Sequence, residues 1–96
     1  MGLKETLISE HQKLKDFDFS YESVEFLKAH IEREEQFFRE NIQKLGGEDE
    51  LSPLGMVLSE HKLLLKFLEE GKKEQFLELL KYHLVKEESQ IYPLLD

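Results

Sequence analysis

The stretch His83-Leu84-Val85-Lys86-Glu87 sets a His and a Glu four residues apart. On an α-helix such residues lie one above the other on one face, so an imidazole nitrogen and a carboxylate oxygen can reach the same ion. A single pair of this kind is more often a surface contact than a chelate. The chain repeats it at His30-Ile31-Glu32-Arg33-Glu34, and its two other histidines, His11 and His61, stand one ahead of each pair.

The repeat extends beyond the histidines. Leu7-Ile8-Ser9-Glu10-His11 matches Val57-Leu58-Ser59-Glu60-His61 at an offset of 50 residues. Phe26-Leu27-Lys28-Ala29-His30 through Glu34-Glu35 matches Leu79-Leu80-Lys81-Tyr82-His83 through Glu87-Glu88 at an offset of 53. Each half is therefore expected to be a helical hairpin with one His on its first helix and a His plus a Glu on its second.

Apolar spacing places the four helices. Leu3, Leu7 and Leu14 share a stripe with His11 and predict a first helix from Leu3 to about Lys15. Asp16-Phe17-Asp18-Phe19 breaks the pattern, and Ser20 is the expected N-cap of a second helix from Tyr21 to about Leu45. That helix turns Leu27, His30, Ile31, Glu34, Phe37, Phe38 and Ile42 inward until Gly46-Gly47 stops it. Gly46 to Ser52 reads as a polar loop with three acids. Ser52-Pro53, a cap followed by proline at the first helical position, starts a third helix that ends before Gly71. Its stripe is Leu54, Val57, Leu58, His61, Leu64, Leu65 and Leu68. A fourth helix from about Lys72 carries Phe76, Leu79, Leu80, His83, Leu84, Glu87 and Ile91, and Pro93 is expected to end it. Short connections between four such helices predict an all-α, up-down-up-down four-helix bundle forming one domain over residues 1–96.

Composition narrows the chemistry. With 21 acidic residues against 13 Lys and Arg, a net charge of -8 argues against nucleic-acid binding. No apolar run long enough to span a bilayer and no leader pattern stand in the sequence, so the expected compartment is the cytoplasm, with no membrane partner. The chain has no Cys, so any metal must be held by nitrogen and oxygen donors. Buried without a counter-charge, four His and two Glu would cost several kcal/mol in desolvation. All six turned inward call for a cation, and iron, zinc, manganese and copper accept such donors. Neighbours one turn away, among them Leu7, Leu27, Phe38, Val57, Leu58, Leu64, Leu65 and Leu80, give apolar walls that favour a small diatomic over a polar substrate. Glu35 and Glu88 are expected to be solvated, although a one-residue change of register would substitute Glu88 for Glu87. Phe17 and Phe19, if exposed, would hint at a contact surface.

The order His11, His30-x-x-x-Glu34, His61, His83-x-x-x-Glu87, followed by Tyr92-Pro93, resembles the hemerythrin-like HHE cation-binding family over nearly the whole chain. The resemblance implies a hemerythrin-like bundle around two non-haem iron ions with a bridging oxo or hydroxo group. His11, His30, His61 and His83 would be terminal ligands, and Glu34 and Glu87 would bridge. Oxygen-carrying hemerythrins have a further His one turn from the third-helix ligand, whereas here those positions are Val57 and Leu65.

The leading expectation is thus a di-iron protein, monomeric or homodimeric, that binds dioxygen or another diatomic such as nitric oxide. An enzyme or stress protein acting on peroxide, nitric oxide or iron is the alternative, with Tyr82 or Tyr92 as a donor if either lies near the site. A metal-stabilised interaction module is the third.

Overall fold

The computed structural model describes residues 2–47, 49 and 51–95, so Met1, Asp96 and two acids of the expected loop, Glu48 and Glu50, lie outside the described residues. The described residues form four α-helices and no strand: α1 (Leu3–Leu14), α2 (Tyr21–Glu40), α3 (Pro53–Glu69) and α4 (Lys73–Lys86). They divide between two compact units, Met1–Glu40 with α1 and α2 and Asn41–Asp96 with α3 and α4. Each unit is a helical hairpin, as the internal repeat predicts.

In the first unit, α1 buries Leu7, His11 and Leu14. Leu3, expected on the same stripe, is 41 % exposed because it stands in the first turn, before α1 has met its partner. The chain then reverses through a compact turn. Ser20 Oγ accepts from Ser23 N at 3.1 Å, the expected N-cap of α2. Asp18 Oδ1 ties the turn down, accepting from Ser20 N at 3.0 Å and from Ser23 Oγ at 2.6 Å. These hydrogen bonds stabilise the charged form, and the Asp18 pKa falls to about 2, with the bonds from Ser20 and Ser23 as the largest causes.

Phe19 takes a left-handed backbone, φ +62, inside this turn. That conformation sets its ring edge-on against Phe17 at 4.9 Å, and Phe17 is buried. The two phenylalanines close the hairpin end instead of forming an exposed contact surface. α2 presents Leu27, His30, Ile31, Glu34 and Phe38 to the interior, while Phe37 and Ile42 are only partly covered. Pairing of Glu10 with His30 and Arg33, and of Lys13 with Phe26, shows that α1 and α2 run antiparallel.

Regular α-helix ends at Glu40, five residues before the expected Leu45. Residues 41–46 continue as turns, with Leu45 N bonded to Ile42 O at 3.1 Å and Gly47 N to the same carbonyl at 3.0 Å. Gly46 (φ +77) and Gly47 (φ +91) supply the left-handed steps that end this run of turns.

In the second unit, Ser52 Oγ accepts from Gly55 N at 3.0 Å and Pro53 opens α3, as the sequence requires. α3 buries Leu54, Val57, His61 and Leu64, and leaves Leu58, Leu65 and Leu68 partly covered. Gly71 (φ +71) closes it, with Lys72 N reaching back to Phe67 O at 2.9 Å. α4 then packs on α3 through Phe76, Leu80, His83 and Leu84.

Pro93 does not end the helical run as expected. α4 passes into a π-helix over Glu87–Ile91 and then a 3-10 turn over Tyr92–Leu95. An i→i+5 turn accommodates one residue more than an α-turn. Ile91 and Tyr92, 3 % and 1 % exposed, therefore both follow Glu87 onto the buried face. Pro93 lies in the first turn of the 3-10 segment, where its missing N–H costs nothing. Among the described residues no helix is long and apolar enough to cross a membrane.

Candidate metal centre

All six expected ligands are at most 2 % exposed: His11, His30 and Glu34 in the first hairpin, and His61, His83 and Glu87 in the second. In each hairpin the donor atoms of the two His and the Glu lie within 4.8 Å of one another. Two buried three-residue groups able to hold a metal ion thus stand in two hairpins of like sequence.

In the first hairpin, Nε2 of His11 and Nε2 of His30 each lie 3.3 Å from Glu34 Oε2. In the second, Nε2 of His83 lies 3.2 Å from Glu87 Oε2, and Nε2 of His61 lies 3.9 Å from it. The rings repeat as well. His11 and His30 meet edge to face at 5.0 Å and 64°, and His61 and His83 at 4.8 Å and 63°. Donors about 2.1 Å from one ion are separated by roughly 3.0 to 3.4 Å at octahedral to tetrahedral angles. Three of the four nitrogen to oxygen separations match that spacing.

Each unit contains a second layer that the expected ligand set omits. Nδ1 of His30 donates to Glu10 Oε1 at 2.8 Å, and Arg33 Nη2 donates to Glu10 Oε2. Nδ1 of His83 donates to Glu60 Oε1 at 2.6 Å, and Lys86 Nζ donates to Glu60 Oε2 at 3.0 Å. Burial works to raise the Glu60 pKa, but the bonds and charges of His83 and Lys86 outweigh it and hold the carboxyl below its ordinary value. The sequence carried a signal for all four residues: the Glu before His11 recurs before His61, and a basic residue precedes both Glu34 and Glu87.

The electrostatics fit a bound cation. With Nδ1 donating to Glu10, the tautomer that carries its proton there leaves a lone pair on Nε2 of His30, and that buried atom has no hydrogen-bond partner among the described residues. It faces a carboxylate oxygen at 3.3 Å. Two acceptors brought together away from water require a positive charge between them. Nitrogen and carboxylate donors with no thiolate suit a borderline divalent ion.

The remaining candidates separate by burial. Glu88 is partly exposed while Glu87 is fully buried beside His83, so the π-turn begins without exchanging the two. Glu35 is partly exposed and pairs with Arg39 at 3.5 Å. Tyr82 is on the surface at 58 % exposure, whereas Tyr92 is buried. Comparison of the chain with models of known protein families, with curated proteins and with solved structures finds no match.

Proposed function

We propose that the chain is a hemerythrin-like, non-haem di-iron protein that binds dioxygen or another diatomic such as nitric oxide. In this proposal the two hairpins close into one up-down-up-down bundle and form a single domain. His11, His30, His61 and His83 would hold the irons as nitrogen ligands, and Glu34 and Glu87 would supply the carboxylates. The observation that carries it is His30 Nε2, buried and without a hydrogen-bond partner among the described residues, set 3.3 Å from the buried Glu34 carboxylate. The corresponding His and Glu group in the second hairpin, with the same ring arrangement, makes a pair of ions the natural load.

Iron is chosen over zinc on the sequence resemblance. Ferrous ions held there would supply electrons to a diatomic ligand, which zinc cannot do. The protein's own contribution is to keep four imidazoles neutral and oriented, to match the metal charge with two carboxylates, and to exclude water. Buried Leu7, Leu27 and Phe38 in one hairpin and Val57, Leu64 and Leu80 in the other provide the apolar surroundings.

A second role, turnover of peroxide, nitric oxide or iron, is favoured by the side chains around His61. Val57 is buried and Leu65 partly buried at the positions one turn away, so neither supplies a further imidazole. A metal held by His61 would then receive no donor from either position. Anaerobic reduction of the iron-loaded protein followed by cycles of air and vacuum separates the two. A charge-transfer absorption that appears in air and disappears under vacuum supports binding; irreversible oxidation overturns reversible binding, and consumption of peroxide or nitric oxide faster than by free iron supports turnover.

A further inference from the structure

Each hairpin holds a His hydrogen-bonded on its outer nitrogen to a carboxylate that is itself held by a cation. We infer that Glu10 and Glu60 are positioning residues for the metal: they fix the Nδ1–H tautomer and the ring orientation of His30 and His83, leaving Nε2 as donor. This rests on the metal-centre proposal above. A carboxylate on the far nitrogen also makes the imidazole a better donor, because it stabilises the positive charge the ring acquires on binding.

The repeat shows which part of the arrangement sets the rings. The cation differs between the hairpins, a forked guanidinium at Arg33 and a single ammonium at Lys86, and so does its surroundings: the Arg33 side chain is 40 % exposed and that of Lys86 7 %. The ring pairs nevertheless adopt the same geometry, 64° and 63° between planes. What the two share on the outer nitrogen is the carboxylate itself, whichever cation holds it. Arg33 and Lys86 keep that carboxylate from turning to solvent.

The test compares the full chain with Glu10→Ala, Glu10→Gln and Glu60→Gln. Glu60→Ala is avoided because it would take the acceptor from both His83 Nδ1 and the buried Lys86, whereas Glu60→Gln removes the charge but keeps one acceptor oxygen. Cobalt(II) and zinc affinities are measured against a chromophoric chelator, cobalt d–d spectra report ligand geometry, and melting of the metal-free proteins reports the fold. Glu10→Ala is expected to weaken metal binding by about 10- to 100-fold and to shift the cobalt bands. Glu10→Gln and Glu60→Gln, which keep an acceptor oxygen on Nδ1, are expected to fall between Glu10→Ala and the unchanged protein. Variants that bind cobalt with unchanged affinity and spectrum, whatever their melting, overturn the positioning role and leave the metal centre standing. Failure of the unchanged protein to bind cobalt or zinc overturns both.

Discussion

Glu34 Oε2 stands 3.3 Å from Nε2 of His30, whose other ring nitrogen donates its proton to Glu10. Two acceptors so placed repel each other unless a cation lies between them. Metal and fold should therefore be coupled.

Metal binding is expected to stabilise the chain measurably. A free metal concentration about 100 times the Kd adds about 2.7 kcal/mol. For a domain of this size that raises Tm by roughly 10–20 °C. A chelator should remove the increment, and His61→Ala or Glu87→Ala should lose metal content and increment together. Calorimetry with and without metal checks this; unchanged metal content and melting in either variant would remove that residue from the ligand set.

Ser52 ties the start of α3 through its bond with Gly55 N, and its hydroxyl donates to the Asp49 carbonyl at 2.6 Å. Ser52→Ala should cost about 1 kcal/mol, a fall in Tm of roughly 4–8 °C. His61 lies more than two turns into α3, so metal stoichiometry should be unchanged. Denaturation and metal analysis of one preparation give both readouts.

The Asp18 turn predicts a pH dependence with a definite sign. Its carboxyl has a pKa lowered from 3.8 to about 2, so its bonds to Ser20 and Ser23 stabilise the fold fully above pH 3.8. That contribution is lost as pH falls through about 2. Asp18→Asn should therefore be less stable than the unchanged chain at neutral pH, and the difference should vanish near pH 2. Acid titrations of both proteins followed by circular dichroism test it; a gap that persists at the acid end would assign the effect elsewhere.

The centre was legible in the sequence wherever chemistry or periodicity marked it. Two His-x-x-x-Glu pairs and two further His supplied six buried residues, and Ser20, Ser52-Pro53 and Gly71 punctuate the helices where expected, while α2 leaves the α-helix at Glu40, ahead of Gly46-Gly47. The supporting layer is harder to read. Glu10, Glu60, Arg33 and Lys86 flank the inward stripe and look like solvated charges until the partner helix is in place. Lys86 is the clearest case, only 7 % exposed although it stands among the charges Lys86-Glu87-Glu88. The π-turn is invisible to an α-helical period, since it arises from one residue in excess between Glu87 and Tyr92.

That excess residue yields a further prediction. Ser89 and Gln90 are exposed within the π-turn. Deleting Gln90 would place Ile91 and Tyr92 three and four residues after Glu87, both on the buried face of a continuous α-helix. The deletion should keep helix content and lower Tm by only a few degrees, if at all. Insertion of an alanine at the same point should rotate Ile91 and Tyr92 out of the core and cost about 3 kcal/mol or more. Thermal melts of the two variants give the comparison, and a deletion as damaging as the insertion would contradict this role for the π-turn.

The most direct measurement is metal content by elemental analysis, with the visible spectrum, of the chain expressed with iron and purified in air. Two irons per chain with the absorption of an oxygen-bridged ferric pair are expected, and zinc alone, or a folded protein without metal, would contradict the di-iron centre.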